Sequence, residues 1–186
     1  MTAVPRPWTV LEFLDWERRQ PGRHERVGGL VVARVGGTAN HARIKGNLYS
    51  AIRSALSGLA SCEVFVEGPK VIAGDNLTYP DLVVTCAPVA GKDDVVPDPV
   101  IVIEVMSRST ADYDRSGKWL GYQQLATLDQ YILVSQEEAR IEAYLRREHS
   151  WDYGVLTGLD GVLDLRAIKA VVPIAEIYER TSVTQG

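Results

Sequence analysis

The sequence is short of cysteine, has no run of about 18 consecutive apolar residues and carries no excess of positive charge, and each shortage removes a class of explanation. Only Cys62 and Cys86 occur in 186 residues. Each stands inside an apolar, strand-like run without the paired spacing of a zinc site, so both read as reduced core residues. The start, MTAVPRPWTV, has no apolar stretch behind a basic head, so a secretory leader is not expected and the chain reads as cytoplasmic and not membrane-spanning. Twenty Lys and Arg stand against 24 Asp and Glu, a formal net charge of −4. That balance excludes a protein that grips nucleic acid by overall charge; such contact must rest on local positive patches or metal ions. Internal repeats and low-complexity segments are also missing.

Apolar residues make up 46% of the chain, enough for one ordinary core, whereas two domains would each be underfilled. A single domain over 1–186 is expected. Thr9 and Glu12 form a capping-box pattern around Val10, Leu11, Phe13, Leu14 and Trp16, and Pro21-Gly22 stops the run, which predicts a short N-terminal helix. In HERVGGLVVARVGG, Gly28-Gly29 separates two strand-like runs and supplies the positive backbone angles of a tight turn, predicting a β-hairpin. Between Asn40 and Ser57, Ile44, Leu48, Ile52, Ala55 and Leu56 recur at helical spacing, the pattern of an amphipathic helix. Two or three strands fit between Cys62 and Ala87. GKDDVVPDP reads as a loop, and the nearly continuous apolar run VIVIEVM as a central, buried strand. Ser109 or Thr110 caps the next helix, ADYDRSGKWLGYQQLATL. QYILVSQ and RIEAYLRR follow as strands, and WDYGVL, VLDL and PIAEIY as further short strands or a terminal helix. The order predicts an α/β sandwich around a mixed sheet.

Glu104 is the most informative residue. Alternation within VIVIEVM puts it on one face with Val102 and Met106, and a desolvated carboxylate is costly unless compensated. Its surroundings must hold a cation, a strong hydrogen-bond set or a raised pKa. Asp81 opens another apolar run in TYPDLVV, where Pro80 favours extended backbone at Tyr79. Two acids on adjacent strands can share one Mg²⁺, which takes hard oxygen ligands and keeps several waters. Such an ion activates water and stabilises charge on a phosphate under attack. Lys118 falls on the helix after the Glu104 strand, with Asp114 one turn before it and Tyr122 one turn after. From there its ammonium can orient water and balance growing negative charge.

A structural role competes at every one of these positions. Asp81 fits a strand start or turn, Glu104 and Lys118 fit a buried ion pair, and Lys118 also fits an exposed helix salt bridge to Asp114. Glu25, in the hairpin, is a third ligand or a solvated charge. His41, at the start of the amphipathic helix, is a phosphate contact or a helix-terminus residue. Tyr122 packs or hydrogen-bonds near the site rather than reacting. Arg43, Arg108 and Arg115 stay unassigned between phosphate contacts and ordinary surface charges.

The order HERVGGLVV, YPDLVV and VIVIEVMSRSTADYDRSGKWLGYQQLATLDQYILV resembles the Uma-type family of restriction endonucleases, within the PD-(D/E)XK nuclease superfamily. The resemblance is strongest over residues 24–145. It implies a restriction endonuclease-like α+β fold, with a mixed β-sheet flanked by helices and preceded by an N-terminal helix and β-hairpin. It also implies a metal-dependent endonuclease that hydrolyses phosphodiester bonds in DNA with Mg²⁺ or Mn²⁺. On that resemblance Asp81 and Glu104 are the metal-binding acids, Glu25 an additional acid, and Lys118 the catalytic lysine moved onto the helix. The chain departs from the superfamily's commonest form in two places. Met106 stands two residues after the second acid, where a lysine is usual, and Gly28-Gly29 replaces an acidic residue followed by glycine. The alternatives are a catalytically impaired nuclease fold kept as a binding or regulatory module, or a hydrolase of some smaller phosphodiester. Duplex cleavage needs two strand scissions, so a homodimer fits the nuclease, and nothing in the sequence locates its interface.

Overall fold

In a computed structural model, which describes residues 8–34, 36–59, 61–107 and 110–184, the VIVIEVM run forms the interior of a six-stranded sheet. Numbered in chain order, its strands are β3 (Glu63–Val66), β6 (Leu82–Thr85), β7 (Pro99–Met106), β8 (Gln130–Ser135), β9 (Arg140–Arg146) and β10 (Trp151–Thr157). They lie in the order β10-β9-β8-β7-β6-β3. Every pairing is antiparallel except β7 with β8. A parallel pair needs a crossover, and the helical residues 111–122 supply it.

Alternation on β7 feeds both faces of the sheet. Ile101, Ile103 and Val105 join Leu82, Val84, Ile132 and Val134 beneath helix α2 (Ala39–Ala55). That helix starts at Thr38, whose hydroxyl accepts from the His41 N–H. Its Ile44, Leu48 and Ile52 recur every fourth residue and are fully buried, each worth roughly 1.5–3 kcal/mol of transfer free energy. On the opposite face, Val83, Val102 and Met106 pack with Tyr122, Tyr131 and Leu133.

A second sheet takes β1 (His24–Val27), β2 (Leu30–Ala33), β4 (Val71–Ala73) and β5 (Asn76–Thr78) in the order β2-β1-β5-β4. Gly28 and Gly29, with φ of 57° and 81°, close the expected hairpin. Helix α1 (Val10–Glu17) carries the expected capping box between Thr9 and Glu12. The hairpin of β11 (Val162–Leu165) and β12 (Ala170–Pro173), then helix α5 (Ile174–Ile177), complete the chain. A mixed sheet flanked by helices, with an N-terminal helix and hairpin, is the architecture expected. No helix among the described residues is long and apolar enough to cross a membrane.

The crossover is α3 (Ala111–Tyr113), a wide π turn over Asp114–Lys118, and α4 (Trp119–Tyr122). It presses closely on β5, because a Cβ at Gly121 would stand 2.3 Å from the Asn76 amide nitrogen. Asn76 in turn accepts from Gly28 N–H and donates to Gly117 O, pinning the helix to the hairpin.

Four expectations need correction. The helix ends at Tyr122 instead of continuing to Leu128, because the Arg146 guanidinium on β9 donates to the carbonyls of Gln123, Leu125 and Leu128. Thr110 does not cap it; its hydroxyl accepts from Ser107 N–H instead, while Ser109, the other expected cap, and Arg108 lie outside the described residues. Four strands, not two or three, occupy the stretch from Cys62 to Ala87, since Gly74 at φ 60° folds Val71–Thr78 back on itself. Finally, Cys62 and Cys86 are not reduced core thiols but a disulfide. Antiparallel β3 and β6 pair Glu63 with Thr85, so the next residues outward face each other with Cα atoms 3.9 Å apart.

Candidate active site

Register decides which side chains meet. Leu82 of β6 pairs with Ile103 of β7, so Asp81 comes opposite Glu104 on the same face, the closest cross-strand relationship two residues can have. Both are 2% exposed. The proximity is visible in a bond: Asp81 Oδ2 accepts from the Val105 N–H at 2.9 Å. β1 adds Glu25, whose Oε1 accepts from Tyr79 N–H at 2.7 Å. The π turn adds Asp114 and Lys118 from one helical face, both buried. Short π segments are frequent at functional sites, and here Asp114 and Lys118, four residues apart, share one face of the turn.

Lys118 is the hub of the acids. Its Nζ lies 3.0 Å from Glu104 Oε1, 3.2 Å from Asp114 Oδ1 and 3.3 Å from Glu25 Oε2. Only the first is a well-aligned hydrogen bond; Asp114 Oδ1 is buried and, among the described residues, has no hydrogen-bond partner. Burial opposes the ammonium, but Glu104, Glu25 and Asp114 outweigh it and hold the lysine pKa well above its ordinary value. The same crowding acts on the acids. Burial first, then Asp114, Asp81 and Glu25 against the opposing pull of Lys118, push Glu104 up to about 8. Burial raises Asp114 as well. Tyr122, fully buried behind the cleft, donates to Glu104 Oε1 at 3.2 Å and shares a 2.7 Å bond with Thr78. Among the described residues, Glu104 Oε2 accepts no hydrogen bond.

Asp81 is held differently. Arg34 donates to its Oδ1 at 2.9 Å, and the His41 Nε2 stands 3.2 Å from its Oδ2. Burial alone would raise this carboxyl, yet the His41 bond, Arg34 and the Val105 N–H together bring it far below the usual carboxylate range.

Glu25, Arg34, His41, Asp81, Glu104, Asp114 and Lys118 line one cleft of about 590 Å³, and Tyr122 lies outside its lining. The structure therefore brings together Glu25, His41, Asp81, Glu104 and Lys118, with Tyr122 supporting Glu104 from behind. Glu25 and Lys118, each 4% exposed, are neither a solvated hairpin charge nor half of an exposed helix salt bridge. Met106 packs in the apolar cluster, so the ammonium beside Glu104 comes from the helix and not from β7. Two members escaped the sequence reading of the site. Asp114 was visible only as a neighbour of Lys118, and Arg34 follows an apolar strand with nothing local to mark its partner. Tyr113, under the Lys118 ammonium at 5.7 Å from its ring centre, also lines the cleft, and its buried hydroxyl has no hydrogen-bond partner among the described residues.

Comparison with known proteins identifies the family and the fold. The profile of the Uma2 family, described as "Putative restriction endonuclease", matches residues 10–168. The uncharacterized protein slr1290 of Synechocystis sp. is 36% identical over 140 residues, covering 74% of this chain and 73% of that protein. A second uncharacterized Synechocystis protein, sll1609, is 26% identical over 175 residues, covering 91% and 98%. A crystal structure from Anabaena variabilis, described as "a putative nuclease belonging to DUF820", superposes with a TM-score of 0.74 at 17% identity and covers 92% of this chain and 98% of its own. At that identity the likeness speaks for the fold.

Proposed function

Because the chain belongs to the Uma2 family, we propose that it is an endodeoxyribonuclease that hydrolyses phosphodiester bonds with a divalent cation, Mg²⁺ or Mn²⁺, held by Asp81 and Glu104. One observation carries the proposal: four buried acids, Glu25, Asp81, Glu104 and Asp114, converge on a cleft in which, among the described residues, Lys118 and Arg34 are the permanent cations paired with them, while Arg23, which also lines the cleft, bonds the Glu67 carbonyl. A buried surplus of negative charge must be met by protons or by a cation. Among the described residues no three His, Cys, Asp or Glu side chains stand as a ready metal cage. Two carboxylates, completed by water and phosphate oxygens, are the donor set that Mg²⁺ takes.

When bound, the ion would supply Lewis-acid stabilisation of charge on the phosphoryl oxygens and a lowered pKa for water. The chain's own residues do the rest. Lys118, kept protonated by three acids, acts as a donor and not a base, orienting the attacking water and offsetting charge in the transition state. Lys118 and Tyr122 both occupy Oε1 of Glu104, which leaves Oε2 for a ligand. His41 and the Val105 N–H fix the Asp81 carboxylate from its Oδ2 side. Scission of both strands of a duplex calls for two such clefts, so a homodimer belongs to the proposal and light scattering of the purified protein tests it.

Plasmid and linear duplex DNA incubated with the protein and Mg²⁺ or Mn²⁺ should be cut, and Asp81→Asn should lose at least about 100-fold in rate. Equal cleavage by the variant rejects the assignment of Asp81. The rival binding module, which Met106 at the usual lysine position favours, predicts DNA binding with no turnover under any divalent ion. Cleavage of a small phosphodiester with intact duplex would redirect the substrate.

A further inference from the structure

The two permanent cations paired with the buried acids of the cleft are held in different ways. Lys118 is 5% exposed at its side chain and lies within 3.3 Å of three separate acids, so it cannot leave without stranding all of them. Arg34 has a side chain 23% exposed, follows directly on β2, and makes one ion pair, to Asp81 Oδ1. Among the described residues, its other side-chain bond is to the Tyr79 carbonyl. Arg34 thus occupies the side of Asp81 that a metal ion would approach, since Oδ2 is already taken by His41 and the Val105 N–H. Two cations cannot both sit against one carboxylate oxygen in a buried site without repulsion. A planar guanidinium fits phosphate as well as it fits carboxylate, and Arg34 lines the cleft in which a phosphate would lie.

We propose that Arg34 is an exchangeable internal counter-ion: it neutralises Asp81 in the metal-free protein, is displaced from Oδ1 when the divalent cation binds, and then takes up a phosphate of the DNA backbone. This assignment rests on the nuclease function proposed above. The electrostatics favour the resting half of the exchange, since Glu104, Asp81 and Glu25 all act on the guanidinium. The exchange couples two ligands through one side chain. The ion frees the guanidinium for DNA, and DNA, by holding the guanidinium, frees Asp81 for the ion; the two enhancements are equal by linkage.

The test needs no turnover. Mn²⁺ is titrated calorimetrically into the full-length wild type, Arg34→Gln and Arg34→Lys, with circular dichroism and thermal melting to establish that each is folded. Binding of a short phosphorothioate duplex is then measured by fluorescence anisotropy, once in chelator and once in Mn²⁺. Removing the competing charge should tighten Mn²⁺ binding about tenfold in Arg34→Gln, while Arg34→Lys, which keeps the charge, should bind Mn²⁺ within about twofold of wild type. In chelator Arg34→Gln should bind the duplex about as well as wild type, and in Mn²⁺ about tenfold more weakly. Unchanged or weaker Mn²⁺ binding in a folded Arg34→Gln overturns the exchange, and so does an equal loss of duplex affinity with and without the ion. If the wild type itself fails to bind Mn²⁺, or Asp81→Asn binds it equally well, the metal assignment falls first and takes the exchange with it.

Discussion

Glu104 and Glu142 are buried glutamates in one row of one sheet, and they differ in almost everything else. Leu133 on β8 pairs with Glu104 on one side and Glu142 on the other, and both acids are 2% exposed. Both also draw a cation from the same crossover. Glu142 receives a bidentate fork from Arg115 at 2.6 and 3.1 Å, a bond from Arg140 at 3.2 Å and the Tyr153 hydroxyl at 3.0 Å. These bonds overcome burial and lower its pKa. Glu104 must share one ammonium with two other acids, and its pKa rises to about 8. A buried carboxylate alone therefore does not mark a site. A shortage of cations around it does.

Four measurements break or sharpen that contrast. The largest effect is expected for Lys118→Met, which strands three buried acids and should cost about 3–5 kcal/mol in urea unfolding. Arg115→Met, at a pair whose arginine is 39% exposed and which keeps Arg140, should cost about 1 kcal/mol or less. Comparable losses would erase the distinction. Next, Glu104→Gln should lower DNA cleavage at least 100-fold, about 2.7 kcal/mol of barrier, while Glu142→Gln stays within about twofold of wild type. A matching loss in both would mean the defect is structural.

Divalent ion provides the third measurement. At about 100 times its Kd, Mn²⁺ should stabilise the wild type and Glu142→Gln by about 2.7 kcal/mol, chelator should reverse the gain, and Glu104→Gln should gain little. Ion-induced stabilisation that survives in Glu104→Gln would place the ion elsewhere. The smallest effect concerns pH. Because folding lowers the Glu142 pKa below its ordinary 4.5, its contribution is present in full above that value and is lost as pH falls through the folded-state pKa. The gap in melting temperature between wild type and Glu142→Gln should thus be widest near neutrality and close on acidification. A gap that widens in acid would contradict the ion network.

Much of this was legible in the sequence because it depends on short-range pattern. Alternation in VIVIEVM, the helical stripe Ile44, Leu48 and Ile52, and Gly28-Gly29 are local signals, and each gave its element. Asp81, Glu104 and Lys118 were legible as polar residues set where apolar ones would be cheaper. What stayed hidden depends on partners distant in the chain. The crossover stops early because of Arg146, some twenty residues beyond its end. Asn76–Thr78 became a strand through pairing with β1 and β4, with too few residues to show a period. The disulfide follows from β3 meeting β6, and the ion pair from Arg34 to Asp81 spans 47 positions. Strand register, which no single segment encodes, created all of these.

The wide turn over Asp114–Lys118 makes chain length itself a constraint. Deleting any residue within it would restore ordinary helical winding, leaving what lies downstream nearly in phase but removing the widened turn that carries Asp114, Arg115 and Lys118. Arg115 and Lys118 could then no longer both meet their respective glutamates, while Gly121 would keep its place against Asn76. Insertions and deletions that surface loops absorb freely should be selected against in these five positions, where spacing matters as much as residue identity.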